Sequence, residues 1–109
     1  VPAMEDALRE KALAYISRAE YYMAEKRFEM AYNAYMDALH TIGAYLVYLD
    51  TGMLMSVREM MGILESRHPE VHGVIARYSR VTSFDEGTLT AMRKEVERLR
   101  DSVFPTGPD

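Results

Sequence analysis

Chemistry in this chain would have to come from its three histidines and the acids and arginines around them, because it has no cysteine. That removes disulfides, thiolate metal sites and a cysteine nucleophile. Two of the histidines fall in the stretch ESRHPEVHGV, residues 65–74. Arg67 and His72 stand there with four residues between them. An imidazole can take up and return a proton near neutral pH, and a guanidinium can steady a phosphate as charge builds on it. Arg67 and His72 are therefore a candidate catalytic pair. The plainer reading is a joint between two helices. Arg67 would then face the carbonyl end of one helix, and His72 would lie on the surface of the next.

The same stretch offers a metal set. His68 and His72 are four apart, and Glu65 precedes them by about a turn, so Glu65, His68 and His72 could hold a divalent ion. HPEVH is not the zinc-protease motif, since Pro and not Glu follows the first His. A residue before proline also avoids helical angles, which takes His68 off the face that His72 occupies. Asp37 with His40, and Glu65 with His68, are two carboxylate–histidine pairs at a spacing of three. Pairs of that kind on facing helices build carboxylate-bridged di-iron centres. No inward carboxylate on the first helix completes the set, so the expectation is a solvent or interface role and no cofactor. The glycines are scattered, and no phosphate-cradling loop is visible.

The elements that would position these residues are all helices. Leu8, Ala12, Tyr15, Ala19 and Tyr22 recur at steps of four and three, which predicts a helix over about residues 3–24. Pro2 suits its first turn, and Glu5 and Asp6 suit the positive end of its dipole. The break at AEKRF has neither Gly nor Pro and is inferred from the phase of the next stripe. A second helix over about 27–50 carries Phe28, Ala31, Tyr35, Ala38, Ile42, Leu46 and Leu49 as a seam. Further apolar residues leave little polar face, so it should be buried on more than one side. In so short a chain the second side could be another subunit, with Tyr45, Tyr48, Met30 and Val47 as its interface. Thr51-Gly52 ends the helix, Gly being the residue best suited to a left-handed cap.

A third helix is predicted over about 53–66, with Leu54, Val57, Met61 and Leu64 on one stripe. Pro69 then breaks the run, His68 is the hinge, and a fourth helix follows over about 69–79. VTSFDEGT is a loop with Ser83 or Asp85 as N-cap. The fifth helix, about 86–103, has a heptad stripe of Leu89, Met92, Val96, Leu99 and Val103, and residues 104–109 form a loose tail. One domain of 109 residues results: an all-α, antiparallel, up-and-down bundle of four or five helices. A net charge of −4 argues against a general electrostatic grip on nucleic acid, though not against RNA at one local cluster. No apolar run reaches the roughly 20 residues of a membrane span. VPAMEDALRE is charged where a secretory leader would be apolar, so a cytoplasmic location is expected.

The stretch AYISRAEYYMAEKRFEMAYNAYMDALH resembles a single tetratricopeptide hairpin, with Tyr15, Ala19, Tyr22, Phe28, Ala31, Tyr35 and Ala38 at the large and small positions. The helix then runs on where such a repeat would stop, and no second copy follows. Over about residues 7–103 the chain resembles the HEPN domain family of small helical bundles. The resemblance rests on residues 11–52, a helix with Ala and Tyr spacing followed by a long Ala-rich helix ending in Gly, and on ARYSRVTSFDEG before a charged last helix. A small archaeal helical family of unknown function shares the Tyr-rich hairpin. The HEPN resemblance implies a bundle that pairs into a homodimer. It implies a nucleotidyltransferase as a partner protein, and in some members a ribonuclease using Arg and His at the spacing of Arg67 and His72. Two departures stand out: Val74 occupies the place of a Tyr two residues after the His, and Pro69 interrupts a motif usually set in unbroken helix.

Overall fold

The computed structural model describes residues 3–106. The expectation for Pro2, and that for the last residues of the tail, lie outside them. Five helices follow one another: α1 (Met4–Ala24), α2 (Phe28–Thr51), α3 (Val57–Arg67), α4 (Pro69–Ser79) and α5 (Glu86–Val103). No strand occurs among the described residues, and the protein is an all-α bundle.

α1 buries Leu8, Ala12, Ile16 and Ala19 against α2, which answers with Ala31, Ala34, Tyr35 and Ala38. Small residues facing each other let the two helices lie close. The turn between them lacks glycine and closes all the same. Lys26 takes the left-handed conformation at φ 58°. Its N–H donates to the Met23 carbonyl at 3.0 Å, and that of Arg27 to the Tyr22 carbonyl at 2.9 Å. Those two bonds make a Schellman ending with a lysine where glycine is usual.

α2 is the central helix and touches each of the other four. Most of its apolar girth is thus covered within the chain, and Val47, expected at a subunit interface, is 1% exposed in the core. Val47 is removed from the interface set for that reason. α2 ends at Gly52 in the left-handed region, φ 72°.

α3 begins at Val57, four residues later than its stripe suggests, because Ser56 is the cap. The Ser56 hydroxyl accepts from the Glu59 N–H at 3.2 Å, and the Glu59 carboxylate reaches back to the Ser56 N–H. This capping box holds residues 53–55 out of the helix. α3 then turns back across α2. A Cβ added at Gly43 would lie 2.9 Å from Leu64 Cδ1 and 3.1 Å from Met60 Sδ, so the missing side chain is what admits α3 so close.

Pro69 at the first position of α4 separates it from α3. α4 returns along α2 until the Tyr32 hydroxyl donates to the Tyr78 carbonyl at 2.7 Å. α5 is capped by Asp85, whose carboxylate accepts from the Thr88 N–H at 2.8 Å. It buries Leu89, Met92, Val96 and Leu99. Phe104 follows and is packed edge-on to Tyr45, centroids 4.8 Å apart, so the start of the expected loose tail is part of the core.

Candidate functional site

The α3–α4 joint is where the candidate residues gather, and its backbone explains how they are arranged. His68 is at once the last cap of α3 and the first of α4, with φ −137° and ψ 65°. Those angles are forced by the proline that follows. The joint swings the His68 ring toward the end of α2, where its Nε2–H donates to Asp50 Oδ2 at 2.8 Å. Both side chains are about a quarter exposed, 29% and 25%.

Beside this pair opens a groove of about 490 Å³. Leu46, Leu49, Val71, Leu99 and Val103 supply apolar walls, while His68, Glu70, Ser102 and Tyr45 supply polar atoms. Its size falls in the range of small-ligand clefts. Glu70 is tied to Arg98 of α5. Arg98 also donates from Nε to Glu95 at 3.2 Å, and Arg77 of α4 donates to the other oxygen of Glu95 at 3.0 Å. This network staples α4 to α5 behind the groove. The hydrogen bonds from Arg98, with the charges of Arg98 and Arg77, hold the Glu95 carboxyl below its usual range, although partial burial opposes them.

Arg67 is the last residue of α3 and exposed. His72 lies one turn into α4, half-buried, and does not line the groove. The two stand on different helices, on either side of the non-helical His68. The metal set is not assembled either. Among the described residues no group of three or more His, Cys, Asp or Glu side chains could hold an ion. His68 is turned onto Asp50, and Glu65 is exposed on α3. The Asp37–His40 pair faces elsewhere on α2. Burial lowers the His40 pKa from its ordinary value, and the Asp37 charge opposes that.

Of the expected interface residues, Met30 is exposed, and Tyr45 and Tyr48 are half-buried. The exposed apolar side chains concentrate instead at the α2–α3 corner. Leu49, Met53, Leu54 and Val57 are each more than half exposed. Sequence reasoning gave Leu49, Leu54 and Val57 to helical seams. The signal against that was Ser56 with Glu59, a capping box that ends the loop late. Asp50 was missed as the partner of His68, since eighteen residues separate the two and only the crossing of α3 joins them.

None of the described helices is long and apolar enough to cross a membrane. No family model, curated protein or solved structure matches the chain.

Proposed function

We propose that this protein is a small helical interaction module, HEPN-like in architecture, that pairs with a second copy of itself through the α2–α3 corner. The observation that carries the reading is the cluster of Leu49, Met53, Leu54 and Val57, which leaves large apolar side chains in water within nine residues of chain. Clusters of this kind mark association surfaces more often than isolated exposed residues do. Methionine suits such a surface, because its flexible thioether adapts to the partner it meets. The late start of α3 helps present it: the capping box frees residues 53–55 from the helix, and Met53 and Leu54 project while Met55 packs against the core. The pairing expected from the HEPN resemblance points the same way, but by another surface than the buried girth of α2.

The test is the mass in solution by sedimentation equilibrium at micromolar concentration, beside Leu54→Asp. The expected result is a dimer that the substitution converts to a monomer with unchanged helical circular dichroism. A wild-type protein that is strictly monomeric there would overturn the reading.

A further inference from the structure

The groove beside His68 has walls of one chemistry and an edge of another. Leu46, Leu49, Val71, Leu99 and Val103 make the walls, and about 490 Å³ is room for a small organic molecule. Tyr45 adds a half-buried aromatic ring, held edge-on against Phe104. The polar edge is made of acceptors. Glu70 lines the groove with a carboxylate that is more than half exposed. Asp50 accepts the His68 Nε2–H at 2.8 Å, so Nδ1 of the neutral ring is an acceptor as well. Ser102 contributes a hydroxyl, which accepts or donates. Among the described residues no Lys or Arg lines the groove.

The charges nearby set the sign of a fitting ligand. Arg98 is shared between Glu70 and Glu95, and Arg77 also holds Glu95. Two arginines thus balance two carboxylates, and the Asp50 charge is left over beside a neutral imidazole. Arg67, next to His68 in sequence, is exposed and is not part of the lining. An anion would meet acceptors and a surplus negative charge. A neutral apolar molecule would fill the walls and leave the acceptors to water. Among the described residues no group of three or more His, Asp or Glu side chains could hold a metal ion. A protonated amine supplies what the edge lacks, N–H donors and a positive charge, and an apolar body completes the fit to the walls. An ammonium is also attracted to the face of an aromatic ring.

We infer that the groove is a binding site for a small organic amine with an apolar body, its ammonium held between Glu70 and the Asp50–His68 pair and its body along Leu46, Val71, Leu99 and Val103. The site does not depend on pairing at the α2–α3 corner, with which it shares Leu49 alone. A dissociation constant of about 1 mM is the scale for a ligand of about ten non-hydrogen atoms.

The experiment follows the methyl NMR signals of the full chain near neutral pH during titration with phenethylammonium, phenethyl alcohol and phenylacetate. The three share a benzyl body and carry a positive, a neutral and a negative head. The expected result is saturable shifts at Leu46, Val71, Leu99 and Val103, with the amine bound about two- to fivefold more tightly than the alcohol and phenylacetate the weakest. Glu70→Gln and Asp50→Asn should each weaken the amine about two- to fivefold and leave the alcohol unchanged. Circular dichroism of the two variants checks that the fold is kept. Wild type is decisive by itself. Equal binding of amine and alcohol overturns the inference, because the apolar walls alone would then account for it. A preference for phenylacetate overturns it, as do amine shifts that fail to saturate at the groove methyls. An amine affinity that neither substitution changes has the same consequence, since the carboxylates would then play no part.

Discussion

His68 and Asp50, eighteen residues apart in sequence, are joined by a hydrogen bond of 2.8 Å that ties the α3–α4 joint to the end of α2. It forms because α3 crosses α2 and Pro69 turns the chain at the crossing. The bond fixes one wall of the groove, since Leu49, His68 and Pro69 line it together.

Asp50→Ala removes the acceptor and leaves the His68 ring unpartnered at the groove edge. A cost of about 1 kcal/mol in denaturant unfolding is expected, in line with a partly exposed charge-assisted bond. Asp50→Asn keeps a neutral acceptor and should lose about half of that. Equal stability of all three proteins would mean that the joint is held by Pro69 and apolar packing alone.

The placement of Arg67 and His72 bears on catalysis. A dyad needs both groups at one phosphate, and here a non-helical residue and a proline divide them between two helices. An interaction module should not cut RNA. Purified protein incubated with mixed RNA in EDTA is expected to give no cleavage, and His72→Ala should behave identically. Cleavage by wild type that His72→Ala abolishes would restore the dyad.

The helical architecture was legible because its signals are local. Period, proline and caps act within a turn or two of the residues that carry them, and Pro69 and Asp85 mark the starts of α4 and α5. What could not be read was which helix covers which. The near-uniform apolar surface of α2 looked like a subunit interface. Most of it is covered by its neighbours in the same chain, Val47 included, while Met30 and Leu49 stay exposed. The site was less legible still. Spacing along the chain pointed to Arg67, His72 and Glu65, whereas the contacts that form join residues distant in sequence, His68 with Asp50 and Glu70 with Arg98. Such pairs depend on helix crossing, which a single periodic stripe does not encode.

The Glu95 network makes a pH prediction of ordinary sign. Arg98 and Arg77 hold the Glu95 carboxyl low, so its contribution is present above the unfolded carboxylate pKa and is lost as pH falls through the lower folded value. Glu95→Gln should therefore destabilise the protein at neutral pH, by a few tenths to about 1 kcal/mol for so exposed a set of partners. The difference from wild type should vanish in strong acid. A difference that stays constant from neutral to acid pH would assign the effect to lost packing and not to charge.

The turn between α1 and α2 yields the last prediction, and it is one of gain. Lys26 holds φ 58°, where a Cβ crowds the neighbouring carbonyl. The Schellman bonds of Lys26 and Arg27 keep it there, because together they satisfy two α1 carbonyls that would otherwise be left open. Glycine adopts this conformation without the crowding, yet it also has more freedom to lose on folding. The first effect is worth about 1–2 kcal/mol and the second about 0.4–1, so Lys26→Gly should stabilise by roughly 0.5–1 kcal/mol. For a chain of this size that corresponds to a rise in melting temperature of about 2–6 °C. The exposure of Lys26 makes lost side-chain contacts an unpromising explanation of any opposite result. Lys26→Ala is the control: it shortens the side chain but keeps the Cβ, and should leave the melting temperature nearly unchanged. Stabilisation by Ala equal to that by Gly would trace the effect to the lysine charge and not to its backbone.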